Sequence, residues 1–201
     1  MSTQRPRQHV LLIHGLAAHR LVMQRLWWEL RSPRMSVENW GYPSIRKSIP
    51  ELARLLRGRL DELETDADVD TVHLVTHSMG CIIGRCALLE HPSAKVRRWV
   101  MLAPPNRGSH TARTLAPWLG WFCKPLHELA DTPHSFVNQL GVPENVEIGV
   151  IAASSDFVVA ASSTHLPGQQ DWCVLEGLHS GLLWRRETAE AVRRFLETGR
   201  F

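Results

Sequence analysis

No stretch of the chain is apolar for the roughly 18 residues that a membrane-spanning helix needs, so no transmembrane segment is expected. Cysteine is scarce. Cys81, Cys86, Cys123 and Cys173 have neither the CxxC spacing of a zinc or redox site nor the density of a secreted disulfide scaffold, and reduced thiols are expected. Charge of one sign is nowhere concentrated: 23 basic residues against 20 acidic ones leave a net +3 with no block of like charge, which disfavours nucleic acid as a partner. No HExxH or comparable ligand spacing occurs, so no metal is expected; the serine chemistry read below calls for no cofactor. The opening residues Met1 to Gln8 contain no hydrophobic stretch before a small-residue cleavage site; no secretory signal is read there, and a cytoplasmic location is expected. Repeats, low-complexity segments and linkers are also missing. With 201 residues, 44% of them hydrophobic, the expectation is one domain over 1–201.

What the chain does have is an alternation of short apolar runs with amphipathic ones, the pattern of βα units feeding a parallel sheet. The runs are 9–13, a weaker 36–40, 71–75, 99–102, 146–151 and 172–175. Helices are expected at about 20–30, after Ser48, at 79–90 and at about 187–197. The second is the clearest: Ser48 and Glu51 form a capping box, Pro50 is tolerated in the first turn, and Leu52, Leu55, Leu56, Leu60 and Leu63 recur at helical spacing. Segment 104–143 breaks the rhythm. It carries Pro104, Pro105, Pro117, Pro125 and Pro133, with Trp118, Trp121 and Phe122 close together. It reads as an insertion with one or two short helices over the sheet edge. Its aromatics suit a lid or the wall of a substrate-binding pocket, or else a helix packed onto the core.

The most informative stretch is Thr76-His77-Ser78-Met79-Gly80, set between an apolar run and a helical one. A serine between small residues at a strand-to-helix turn is the pattern of a nucleophile elbow, which lifts the hydroxyl above the edge of the sheet. Read alone, the same serine is an ordinary helix N-cap.

A serine hydroxyl becomes a nucleophile when an imidazole takes its proton and a carboxylate orients that imidazole. In elbow proteins the chain order is serine, acid, histidine. Asp156 follows the run 146–151 and His179 follows the run 172–175, so all three fall at carboxyl ends of strands, where open α/β sheets carry their sites. Of the 11 histidines, His73, His91, His110, His127, His134 and His165 read as surface or satisfied core residues. Glu176 is the reserve acid, because Asp171 begins a strand at the opposite edge. For the oxyanion, two backbone N–H groups are expected: that of Met79, at the start of a helix, and that of Leu16, in the loop after His14-Gly15. His14 reads as a brace for that loop.

Taken in order, Val10 to Gly15, Leu74 to Gly80, Leu102 to Ser109, Ser154-Ser155-Asp156 and His179 resemble the α/β-hydrolase superfamily. More narrowly, they are similar to its small bacterial lipases and esterases and to the related inositol-deacylase-like proteins. The resemblance implies a minimal α/β-hydrolase fold: a six-stranded, mostly parallel sheet in the order 2-1-3-4-5-6, flanked by helices and without the family's two N-terminal strands. It implies a catalytic triad of Ser78, Asp156 and His179, with the Leu16 and Met79 amides as oxyanion hole and Gly108 and Ser109 shaping the site's rim. Thr76 stands where the family usually has glycine, and the short insertion disfavours long triglycerides.

The expectation is therefore a serine esterase or lipase-like hydrolase that forms an acyl-enzyme on a small-molecule or lipid ester, with Trp118, Trp121 and Phe122 near the substrate and a transient lipid-surface contact. Thioesterase, amidase and acyltransferase activities use the same three residues. A noncatalytic binding protein with this fold is the reading from a different class.

Overall fold

The computed structural model describes residues 7–201. The six strands are β1 (Gln8–Ile13), β2 (Met35–Trp40), β3 (Thr71–His77), β4 (Val96–Leu102), β5 (Glu147–Ala153) and β6 (Asp171–Leu175). They form one sheet in the order β2-β1-β3-β4-β5-β6, with every neighbouring pair parallel. A parallel sheet must be covered on both faces, so its strands alternate between two cores rather than between core and water. Leu11, Ile13, Leu74, Trp99 and Met101 point to the face covered by α2 (Ile49–Thr65) and α3 (Met79–Glu90). Val10, Leu12, Val75, Val100 and Leu102 point to the face covered by α1 (Gln24–Leu30) and by the last helix, Arg186–Thr198.

The helices begin where their local chemistry dictates. Ser48 accepts from the Glu51 N–H while the Glu51 carboxylate accepts from the Ser48 N–H, so the α2 capping box closes both ways. Ile49, Leu52, Leu56, Leu60 and Leu63 line its buried face, but Leu55 is exposed; it lies a full 100° step from Leu56 and falls off the stripe that Leu52 begins. The first helix is preceded by a 3-10 turn, Arg20–Met23, before the α-helical hydrogen bonds start at Gln24.

The insertion holds three helical segments rather than one or two: α4 (His110–Leu119), α5 (Pro125–Glu128) and α6 (Phe136–Gln139). Its ends are drawn together by Arg85 of α3. This buried guanidinium donates to the Asn106 carbonyl and side chain at 3.3 Å, to the Leu140 carbonyl at 2.5 Å and to the Gly141 carbonyl at 2.9 Å. Asn106 in turn donates to the Thr164 carbonyl at 2.8 Å. A buried charge surrounded by carbonyl oxygens is costly to disturb, which fixes both ends of the segment.

His73 corrects the reading of a satisfied histidine. It is buried in β3, and neither ring nitrogen has a hydrogen-bond partner. Burial, reinforced by the Arg98 guanidinium, lowers its pKa to about 4. The unfolded chain therefore takes up a proton near pH 6.5 that the folded chain refuses until about pH 4. This contribution is whole above pH 6.5 and is lost as pH falls toward 4. Urea unfolding at pH 7.5 and 4.5 should show His73→Leu losing less stability than the wild type over that interval, by on the order of 2 kcal/mol. Equal losses in the two proteins would contradict this.

Candidate active site

Ser78 occupies the turn between β3 and α3 at φ 53° and ψ −123°. A non-glycine residue at positive φ stores strain of about 1–3 kcal/mol, tolerated where the surroundings over-determine it. Here the Ser78 N–H donates to the Leu102 carbonyl at 2.9 Å, and the Cys81 N–H donates to the Ser78 carbonyl at 3.0 Å. Ser78 stands at the N-cap position of α3 yet makes no capping bond with its side chain. The hydroxyl is instead 2.9 Å from His179 Nε2. That separates it from the ordinary N-cap.

Close packing at the elbow explains which residues must be small. A Cβ on Gly80 would stand 2.5 Å from the His14 carbonyl oxygen and 2.7 Å from that of Ile13, so α3 meets the end of β1 backbone to backbone. A Cβ on Gly15 would stand 3.0 Å from Ser78 Cβ. Thr76, in place of the usual glycine, is accommodated by a local bond: it accepts from the Trp99 indole N–H at 2.8 Å and donates to Cys81 Sγ at 3.0 Å. Cys81 and Cys86 are buried behind it, and burial raises both thiols to about 12.

His179 and Asp156 sit on loops tied to each other. The Ser154 N–H donates to the Leu175 carbonyl at 2.9 Å, and the Ser155 N–H to the Gly177 carbonyl at 3.0 Å. Asp156 Oδ2 lies 2.7 Å from His179 Nδ1, and Oδ1 accepts from the Val158 and Val159 N–H groups, both at 2.8 Å. Burial pushes the Asp156 carboxyl up, but the His179 bond and charge with the two amides outweigh it and hold the pKa below the ordinary value. Both side chains are largely shielded, at 12% exposure for His179 and 2% for Asp156. Glu176, the reserve acid, is exposed and makes no such bond. Of the other histidines weighed, His91, His110, His127 and His134 are exposed and His165 stacks on Trp172.

Among the described residues, neither the Leu16 nor the Met79 N–H has a hydrogen-bond acceptor. Met79 opens the 12-residue α3, whose N-terminus carries partial positive charge. The Leu16 loop is held from below by His14. Its Nδ1 donates to the Gly15 carbonyl at 3.0 Å, its ring stacks on Tyr42 at 4.2 Å, and its carbonyl accepts from the Tyr42 hydroxyl at 2.6 Å. Ser109 caps α4 and donates to the Val158 carbonyl at 2.6 Å, which joins the insertion to the Asp156 loop.

The aromatics of the insertion face solvent. Trp118 is 78% exposed, Trp121 85% and Phe122 44%, with the Arg46 guanidinium 5.6 Å from the Phe122 ring centre. No ring contact or hydrogen bond joins them to Ser78 or His179. Nor do the tryptophans pack the core, since Ala112 and Ala116 form the buried side of α4.

The six parallel strands in this order, with the serine turn after the third and the carboxylate and imidazole loops after the fifth and sixth, decide the architecture. The fold is that of the α/β-hydrolases. The mature form of a lipase from Bacillus licheniformis is similar at a TM-score of 0.71 and 14% identity, covering 98% of this chain and 95% of that one. A phospholipase from Legionella pneumophila is similar at 0.78 and 16%, covering 96% of this chain and 60% of that one. Lipase B of Aspergillus fumigatus is similar at 0.77 and 15%, covering 95% of this chain and 52% of that one. The chain thus spans only about half to three-fifths of the latter two. No family model matches the sequence, and no curated protein matches it significantly.

Two residues that bear on this candidate site of the α/β-hydrolase fold went unread in the sequence. They are Tyr42, under the His14 loop, and His77, whose Nε2 lies 3.2 Å from the His179 carbonyl oxygen. Only the folded chain brings either to its partner. A cavity of about 870 Å³ lies at the opposite edge of the sheet, lined by Arg7, Trp27, Arg31 and Arg34 among others, and contains none of the residues above. Among the described residues no cluster of side chains could hold a metal ion, and no helix is long and apolar enough to cross a membrane.

The contact of Gly80 with the β1 carbonyls gives a direct test. Gly80→Ala must push α3 from β1, and a stability loss of about 1–3 kcal/mol in urea unfolding is expected. An unchanged midpoint would show that the approach is looser than described.

Proposed function

We infer that the protein is a serine hydrolase that cleaves carboxylic esters through an acyl-enzyme on Ser78, with His179 as general base and Asp156 as the group that orients it. The observation carrying this reading is the continuous hydrogen-bonded line from the Ser78 hydroxyl to His179 at 2.9 Å and from His179 to Asp156 at 2.7 Å. His179 Nδ1–H donates to the carboxylate, which leaves the Nε2 lone pair facing the hydroxyl. As Ser78 Oγ attacks the carbonyl carbon, Nε2 takes its proton and Asp156 stabilises the resulting imidazolium. The oxyanion would be met by the unpartnered Leu16 and Met79 amides, the latter aided by the α3 dipole. Collapse of the intermediate returns the proton to the leaving alcohol. Water then attacks the acyl-enzyme by the same steps in reverse roles.

The similar structures are named lipases and a phospholipase, which favours an ester over an amide or thioester as the bond cleaved. Exposed Trp118 and Trp121 on the insertion suit a transient contact with a lipid surface, and the four free cysteines suit the cytoplasm.

Turnover of p-nitrophenyl acetate should vanish in Ser78→Ala while the thermal midpoint stays that of the wild type. Retained turnover would reject Ser78 as the nucleophile. Asp156→Asn should lower kcat on the order of 10⁴-fold, because the amide favours the wrong imidazole tautomer; kinetics equal to the wild type would remove Asp156 from the scheme.

A further inference from the structure

We propose that His77 is a positioning residue for His179, holding the loop that carries it in register with Ser78 by donating Nε2–H to the His179 main-chain carbonyl. The inference deepens the serine-hydrolase reading and rests on it for the role of His179.

His77 is the residue before Ser78 and ends β3. Its ring lies between two segments that are far from it in sequence. Nε2 is 3.2 Å from the His179 carbonyl oxygen, and the two imidazole rings lie 4.8 Å apart, centre to centre. On its other side, a Cβ on Gly15 would stand 3.2 Å from His77 Nδ1, so the ring also abuts the loop that presents the Leu16 amide. A carbonyl oxygen only accepts, so the ring proton must sit on Nε2. Nδ1 is buried without a partner. The uncompensated Nδ1 is costly in a buried site, so the bond that Nε2 makes to the His179 loop is the ring's one polar compensation.

Neutrality suits this place. Burial first, and the neighbouring His179 second, lower the His77 pKa to about 3. A neutral ring at this distance does not oppose the positive charge that His179 takes on when it receives the serine proton, whereas a lysine or arginine there would. The brace also acts at a sensitive point. The His179 loop is bonded to the Asp156 loop on one side, and a displacement of about 1 Å in such a constellation costs on the order of 100-fold in rate.

His77→Gln and His77→Asn separate the brace from mere filling of space. The Gln side-chain amide nitrogen stands at the same number of bonds from Cβ as Nε2, and that of Asn at the number of Nδ1. In the full chain, His77→Asn should lower kcat for p-nitrophenyl acetate about 10- to 100-fold with KM within about two-fold. It should also broaden or remove the proton NMR signal of His179 Nδ1–H shared with Asp156. His77→Gln should recover most of both. Asn and Gln variants that match the wild type, or that lose kcat and the NMR signal equally, would overturn the brace. Wild-type protein that shows the NMR signal but turns over no ester would overturn the hydrolase reading alone, and the variants' NMR signals would then decide the brace.

Discussion

The backbone of Ser78, held at positive φ, is the constraint on which the rest of the site depends. In a relaxed helix start the hydroxyl would turn back to cap α3. Here it cannot, because the turn is clamped from three directions. The Ser78 N–H is held by the Leu102 carbonyl of β4, Gly80 is pressed on the carbonyl oxygens that end β1, and Gly15 lies against the Ser78 side chain. Strain of this kind persists only when neighbours share its cost. The neighbours are strands drawn together by two apolar cores, so the hydrophobic faces of the sheet and the orientation of one hydroxyl are coupled.

The loops that face this serine are built with the same economy. Strand order places the Asp156 and His179 loops side by side after β5 and β6, and main-chain bonds lock one to the other. Asp156 is stabilised by two amides of its own turn before it meets His179. The insertion is tied down at its ends by Arg85 and beside Asp156 by Ser109, while its tryptophans face outward. Its attachment is therefore hydrogen-bonded at its ends and beside Asp156, and apolar where it meets solvent.

Most of the fold was legible because its signals are local. Apolar runs bounded by turns mark all six strands, Ser48 and Glu51 announce α2 by chemistry complete within four residues, and the residues at 76–80 mark the elbow. The positions of Asp156 and His179 after late strands were legible from chain order, and the structure brings their polar atoms within hydrogen-bonding distance. What escaped depends on contacts across the chain. Thr76 looks like a departure until Trp99 and Cys81 are seen bonded to it. Arg85 stands as a lone cation in an otherwise largely apolar helix, and its partners, carbonyls of the insertion, lie far along the chain. His77 has no spacing that would mark it, because its partner is a main-chain oxygen more than a hundred positions away. Leu55 shows the opposite failure, a residue of the right type just off the buried stripe.

If this geometry activates Ser78, one of the chain's many hydroxyls stands apart in reactivity. Treatment with a fluorophosphonate followed by proteolysis and mass mapping measures that most directly. A single phosphonyl adduct is expected, on the peptide that contains Ser78. Folded protein that takes up no adduct, or carries it on a different serine, would contradict it.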